Sequence, residues 1–357
     1  MAKSTKAGFR ESVAQYDRLR RDIEARRYAP LYLLMGEESF FIDLLDRQLA
    51  DTVLDPAEKA FNQVVVYGRD SDAESVVNLC RQLPMMGNRQ LVIVREAQQL
   101  ARIDKLSLYT AAPAPSTILV LCHKTKTLDK RSQLYKQIAA RGEVLESVRP
   151  RDYEIGEWLA GFIRDRGLQI EPRAVEMIAG HLGTDLSKIA NELAKLMVSL
   201  PEGTRRITPD HIEQNIGISK EFNNFELCRA IARRDAAQAL RIAGHFARNP
   251  KEYPLLLTVM ALFSQFKQLF IINYYRWLVR QGRAQMPSDA EMCRILKVSH
   301  PFIVKELSSA ATLWPNNKVF RILGLLREYD LKSKGMESGS SDNGELLREL
   351  LLKIFAL

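Results

Sequence analysis

The stretch that decides the fold runs from Ser75 to Val94 and reads SVVNLCRQLPMMGNRQLVIV. Its first half predicts a helix packed on a core, because apolar residues recur at the i, i+3, i+4, i+7 spacing of one helix face. These residues are Val76, Leu79, Cys80 and Leu83. Pro84 ends the helix, since the residue before a proline is disfavoured in the α region. After a turn signal at Gly87-Asn88, the run from Gln90 to Val94 predicts a short buried strand.

Met85 and Met86 belong to neither element and lie at an elbow where the helix gives way to the strand. Two interpretations are open on composition alone. Both side chains pack into the local core, or the elbow presents two unbranched, adaptable apolar side chains to the pocket of a partner.

Four further segments of strand type surround this stretch, and helical patterns separate them along the chain. They cover residues 31–35, 63–67, 117–122 and 143–148. Strands that alternate with helices predict a mostly parallel sheet with right-handed crossovers. The expectation is an α/β domain over residues 1–150.

The first of these strands ends at Gly36, where a phosphate-binding loop lies in a nucleotide-binding fold. The loop reads GEESFF, so the pattern GxxxxGK[ST] is absent. Glu37 and Glu38 suit the positive end of a helix dipole but would repel a phosphate. Arg95 stands where an ATPase needs a carboxylate to hold magnesium. Gly36, Glu37, Glu38 and Arg95 are therefore predicted to form a degenerate, non-functional nucleotide site.

From Arg151 onward the pattern is helical throughout, which predicts a small helical domain over 151–218 and a larger one over 219–357. The most apolar segment, 255–279, carries interrupting polar residues, which favours a helix buried in a bundle over a membrane span. A Gly- and Ser-rich segment, 333–344, predicts a mobile loop.

The last helix carries more apolar surface than a terminal helix usually needs. Its stripe consists of Leu346, Leu347, Leu350, Leu351, Ile354 and Phe355. Packing within its own bundle and a subunit interface are both open.

Composition narrows the class of protein. The chain has 357 residues, and 52 Lys and Arg against 43 Asp and Glu give a net charge of +9. That excess permits nucleic-acid contact, but a solvated basic surface explains it equally well. The four cysteines are far apart and form no CxxC pair, which favours buried thiols in a reducing cytoplasm over a zinc site. The N-terminus lacks an apolar run, so no signal peptide is expected.

In their order and spacing, several segments resemble the delta subunit of bacterial DNA polymerase III, a component of the sliding-clamp loader. The matching segments are YLLMGEESFFID (32–43), FN (61–62), LPMMGNRQLVIVREA (83–97), TKTLDKRS (125–132), GTDLSKIANELAKL (183–196), FNNFELCRAI (222–231) and YDLKSKG (329–335). The resemblance implies an α/β plus all-α protein with a degenerate AAA+-like domain, a helical lid domain and a C-terminal helical collar domain.

The resemblance also implies a function. Delta subunits bind the beta sliding clamp and open its ring, while neighbouring subunits hydrolyse ATP. The expected partners are the beta clamp, the tau/gamma and delta prime subunits, and primed DNA inside the assembled loader. No intrinsic activity, no cofactor and no membrane are expected, and the location is cytoplasmic. Consistent with this division of labour, Leu186 replaces the arginine that active relatives carry in the lid.

The clamp-contact element of the family is a pair of apolar residues at the end of a helix. That pair corresponds to Met85 and Met86, with Pro84 and Leu83 beside it, although this elbow lacks the aromatic residue common in the family. Two other functions are weighed against this one: an active AAA+ remodelling ATPase and a stand-alone DNA-binding protein. The candidate DNA contacts are Lys126, Lys130 and Arg131, which a solvated loop explains as well.

Overall fold

The computed structural model describes residues 8–85, 87–216, 222–298, 301–334 and 342–357. The chain divides into two compact units, Met1–Arg151 and Asp152–Leu357. The domain bounds expected from the sequence stay predictions. The expected boundary near residue 218 falls outside the described residues, so the division of the second unit into lid and collar stays a prediction.

The first unit is built on a five-stranded parallel sheet with the order β2-β3-β4-β1-β5. Its strands are β1 (Leu31–Gly36), β2 (Gln63–Tyr67), β3 (Gln90–Arg95), β4 (Thr117–Lys124) and β5 (Glu143–Ser147). Its helices are α1 (Phe9–Glu24), α2 (Ser39–Thr52), α3 (Pro56–Asn62), α4 (Ala73–Arg81), α5 (Ser107–Thr110) and α6 (Gln133–Arg141), with 3-10 turns at Gly68–Asp70, Ala97–Gln99 and Ile103–Leu106. The predicted parallel sheet is confirmed.

The central strands read as continuous apolar runs because both of their faces are covered. Leu33 of β1 pairs with Leu121 of β4 on one side and with Val144 of β5 on the other. β4 in turn separates β1 from β3. The carboxyl ends of β1 and β3, where the sequence places Gly36 and Arg95, therefore meet the same edge of the sheet.

The helix at the start of the deciding stretch is shorter than the sequence predicts. Helix α4 begins after Asp72, whose side chain accepts a hydrogen bond from the Ser75 N–H, and ends at Arg81. Gln82 is already extended, and Leu83 is 82% exposed. The prediction that Leu83 belongs to the core face was wrong. A residue that precedes proline is disfavoured in the α region, so the helix stops before Leu83 can turn inward.

The second unit is almost entirely helical. Its helices are α7 (Asp152–Arg164), α8 (Pro172–Leu182), α9 (Leu186–Ser199), α10 (Pro209–Ile216), α11 (Asn224–Ala232), α12 (Ala236–Arg248), α13 (Leu255–Arg280), α14 (Asp289–Leu296), α15 (Pro301–Leu313), α16 (Asn316–Ser333) and α17 (Asn343–Phe355). Two-residue strands β6 (Gln169–Ile170) and β7 (Arg206–Ile207) pair in parallel. Of the Gly- and Ser-rich segment, residues 335–341 lie outside the described ranges.

The apolar stripe of α17 packs within its own bundle. Five of its six residues are at most 3% exposed, and they are Leu346, Leu347, Leu350, Leu351 and Ile354. Phe355 is partly buried against the same core. The stripe is therefore buried within its own bundle, and it leaves little apolar surface for a subunit interface.

Helix α13 buries one face in the bundle and exposes another, although its sequence is apolar on most sides. Gln265 donates a hydrogen bond to the Cys228 carbonyl, and Gln268 donates one to the Leu296 carbonyl. The two glutamines that interrupt the apolar run thus donate hydrogen bonds to carbonyls of neighbouring helices. By length and composition alone α13 is also long and apolar enough to cross a membrane, as core helices often are, but less than half of its most apolar window is buried. The prediction of a helix buried in a bundle is right for one face only.

Candidate functional site

The elbow between α4 and β3 presents apolar side chains to solvent. Leu83 is 82% exposed and Met85 is 60% exposed, while Pro84 between them is half-buried. Large apolar side chains this exposed on one short loop suit a contact surface better than a core. Met86, the other half of the predicted pair, lies outside the described residues.

A buried amide holds the backbone of this elbow in place. Asn62, the last residue of α3, is 1% exposed. Its Nδ2 donates to the Met85 carbonyl at 2.7 Å, and its Oδ1 accepts from the Met85 N–H at 2.7 Å. The carboxamide therefore pairs with both backbone groups of one residue, as a neighbouring strand would. The side chain of Met85 remains mostly exposed.

The end of α4, from which the chain enters the elbow, is also held by side-chain hydrogen bonds. Gln90 Nε2 donates to the Leu79 carbonyl and Thr117 Oγ1 donates to the Cys80 carbonyl, so two carbonyls at the end of α4 are satisfied. A Cβ on Gly87 would lie 2.6 Å from a carboxylate oxygen of Glu58 and 3.1 Å from Asn62 Nδ2. Glycine lets the chain pass this close to α3. The end of α4 and the backbone of Met85 are thus held by hydrogen bonds, while the side chains of Leu83 and Met85 are exposed.

The position of a phosphate-binding loop is closed by the protein itself. The buried Glu38 side chain accepts a hydrogen bond from the Phe40 N–H at the start of α2, where a phosphate would bind. Gly36 has a φ of 136°, and a Cβ there would lie 2.0 Å from the Ser147 carbonyl oxygen. Glu37 is exposed. A negative charge already occupies the positive end of the helix.

The magnesium position is likewise neutralised within the protein. Arg95 Nε donates to Asp46 Oδ2 at 2.8 Å, and the Asp46 side chain is 8% exposed. Burial raises the pKa of the Asp46 carboxyl, and the Arg95 charge opposes that shift. Lys124 pairs with Asp43 beside it. The four residues of the predicted degenerate site therefore lie at one edge of the sheet. At this edge, two carboxylates of α2 form ion pairs with Arg95 and Lys124.

The basic loop after β4 is partly neutralised. Lys130 pairs with Glu146 at 2.5 Å, and Arg131 pairs with Asp129 at 3.0 Å. Lys126 is exposed and makes no ion pair among the described residues. Two of the three candidate DNA contacts thus already have carboxylate partners.

Sequence reasoning missed the residues that shape the elbow. Helix α3 was not predicted, and Asn62 entered only as half of the matching FN segment, without a role. Phe61, the other half, is 57% exposed. A buried asparagine that binds a loop distant in sequence leaves no periodic signal, so only the tertiary structure reveals it.

Comparisons with known proteins agree with the fold. Residues 32–148 match the model of the family described as DNA polymerase III, delta subunit. The chain is 26% identical over 338 residues to the DNA polymerase III subunit delta of Bacillus subtilis (strain 168), covering 92% of each chain. Among solved structures it is similar to the Bacillus subtilis DNA clamp loader delta protein (YqeN), with a TM-score of 0.54 and 24% identity over 96% of this chain and 100% of that one. Over nearly its whole length, the chain resembles the delta subunit of bacterial DNA polymerase III.

Proposed function

We propose that this protein is the delta subunit of a cytoplasmic DNA polymerase III clamp loader. In this role it binds the beta sliding clamp through the elbow and opens one interface of the clamp ring, so that the ring can be loaded on primed DNA. It contributes no ATP hydrolysis, which belongs to neighbouring subunits. The chain is thus a binding component of the polymerase holoenzyme.

One observation carries the proposal: Leu83 and Met85 are exposed on a loop whose backbone is held at Met85 by two hydrogen bonds from Asn62. Interfaces draw most of their affinity from a few residues that fill well-packed pockets of the partner. A loop that is already ordered loses little conformational entropy on binding, so more of the contact energy remains as affinity. Pro84 adds to this order because its ring fixes the backbone between the two anchors.

The closed phosphate position argues against an active remodelling ATPase. A bound phosphate would have to displace the buried Glu38 carboxylate from the start of α2, and a magnesium ion would meet Arg95. Glu38 has the wrong charge to bind a phosphate, and Arg95 has the wrong charge to bind a magnesium ion. The second alternative, a stand-alone DNA-binding protein, predicts an affinity of the isolated chain for DNA that falls steeply with salt.

The second unit offers a surface for assembly with other loader subunits. We name it the α13 face: Met260, Phe263, Tyr274 and Trp277 of α13, with Phe320 of α16. The α13 residues lie within about 100° of one another around the helix, given its 3.6-residue period. All five side chains are between 44% and 60% exposed.

Phe270 joins three rings of the α13 face, those of Phe320, Tyr274 and Trp277, into one row. Phe270 contacts Phe320 with ring centroids 5.0 Å apart, Tyr274 stacks on Trp277 at 6.0 Å, and Arg283 lies over Trp277. Aromatic residues and arginine are enriched at the buried centre of protein interfaces. The proposed occupant is the helical collar domain of a neighbouring loader subunit.

Clamp binding by the full-length protein tests the proposed function. The protein is immobilised, and the beta sliding clamp of the same organism is passed over it while surface plasmon resonance is recorded. We expect saturable binding without nucleotide, together with separation of a fluorophore pair placed across one clamp interface. A chain that neither binds the clamp nor changes this signal is not a delta subunit.

A further inference from the structure

The Asn62 side chain is polar and buried, and its hydrogen bonds go to the backbone of the elbow. It is 1% exposed, and both atoms of its carboxamide that can bond are paired with the backbone of Met85 at 2.7 Å. Met85 is 23 positions away in the chain, so these bonds tie α3 to the elbow. Met85 is also one of the two exposed apolar anchors.

We infer that Asn62 is a positioning residue for clamp binding: its carboxamide holds the elbow in the shape that docks on the clamp. This inference rests on the proposed function. A carboxamide that pairs with both the N–H and the C=O of one residue fixes the orientation of the backbone there. The Met85 side chain then leaves the backbone in a single direction. Without the amide, both backbone groups would bond to water and the loop would sample other conformations.

A positioning role and a contact role predict different kinetics. If removal of the amide leaves only about one elbow in ten in the docking shape, the apparent affinity falls about tenfold. That loss appears in the association rate, because the bound complex keeps its contacts. Removal of an anchor side chain instead speeds dissociation, as is usual for interface mutations.

The test compares Asn62→Ala with a matched control, Ser12→Ala. Ser12 is also fully buried in the first unit, and its Oγ donates to the Glu146 carbonyl and accepts from the Val148 N–H. Both substitutions therefore remove a buried side chain that joins two backbone groups. We expect Asn62→Ala to slow association with the clamp about tenfold and to speed hydrogen exchange of the Met85 amide. Ser12→Ala is expected to leave both unchanged.

Asn62→Asp gives a second readout in case the alanine variant folds poorly. An ionised carboxylate still accepts from the Met85 N–H but repels its carbonyl, whereas a protonated carboxyl group can donate to it, as the amide does. Burial raises the pKa of a carboxyl group. The clamp affinity of Asn62→Asp, relative to wild type at the same pH, is therefore expected to recover as the pH falls from 8 to 5.5.

The outcomes separate this inference from the proposed function. If Asn62→Ala and Asn62→Asp associate with the clamp at the wild-type rate while Leu83→Ala/Met85→Ala has lost affinity, Asn62 has no positioning role and the elbow remains the clamp contact. If all these variants bind as wild type does, the elbow is not the contact and the inference about Asn62 is wrong, while clamp binding by the protein stands. If the wild-type protein itself does not bind the clamp, the proposed function is wrong.

Discussion

The double substitution Leu83→Ala/Met85→Ala is expected to weaken clamp binding without unfolding the protein. Complete burial of a leucine or methionine side chain is worth about 1.5–3 kcal/mol. The two residues are 82% and 60% exposed, so binding can bury most of one side chain and more than half of the other. Together they can contribute about 2–4 kcal/mol. Alanine retains the Cβ, which lowers the expected loss to about 1.5–3 kcal/mol, or about 10- to 100-fold in affinity.

The assay measures clamp affinity and melting temperature on the same preparation. Exposed residues outside the core usually change the free energy of unfolding by no more than about 0.5 kcal/mol, so the melting temperature should barely move. The matched control is Leu352→Ala, because Leu352 is an equally large apolar residue, 58% exposed on α17. It should alter neither quantity. The additional substitution Met86→Ala is expected, from the sequence, to deepen the loss of affinity.

Two results would refute this reasoning. A variant that melts several degrees lower and still binds the clamp normally would show that Leu83 and Met85 stabilise the fold and do not contact the clamp. Equal losses of affinity for the double variant and for Leu352→Ala would show that the elbow has no special part in binding.

Three further predictions concern other parts of the chain. The protein is expected not to bind a fluorescent ATP analogue at micromolar concentrations, and nucleotide binding by the wild type would contradict this. Arg95→Ala should not create such binding. It should lower the free energy of unfolding in urea by about 1–3 kcal/mol, since it leaves the buried Asp46 carboxylate without its partner. Trp277→Ser/Phe320→Ser should abolish co-elution with the other loader subunits while clamp affinity stays normal, and intact assembly would exclude the α13 face. Burial and the nearby Glu306 raise the pKa of Glu176 to about 7. Between about pH 4.5 and 7 the folded state therefore binds more protons than the unfolded state, and the free energy of unfolding falls as the pH rises through that range. Glu176→Gln should remove this fall and stabilise the protein at pH 8 by about 1–2 kcal/mol, allowing for residual exposure; equal melting shifts at pH 5 and pH 8 would rule the explanation out.

The sequence by itself determined the parallel sheet, the helical remainder and the absence of a phosphate-binding loop. These features depend on local pattern: apolar runs such as Leu91–Val94 are buried on both faces, and GEESFF lacks the residues that a phosphate needs. The resemblance to delta subunits supplied the clamp-contact pair, because periodicity alone left Met85 equally compatible with a core. The polar interruptions of the 255–279 segment predict a helix buried in a bundle, which is right for one face of α13.

Only the tertiary structure decided which apolar residues are left exposed. Leu83 fits a core face by spacing, yet α4 ends at Arg81 and Leu83 is 82% exposed. The last helix is rich in leucine, and its leucines are mostly buried in its own bundle. The aromatic face of α13, in contrast, is left exposed by the described residues. The part played by Asn62 depends on two hydrogen bonds to a residue 23 positions away. Contacts of this kind arise when the chain folds back on itself, and no local pattern of residues encodes them.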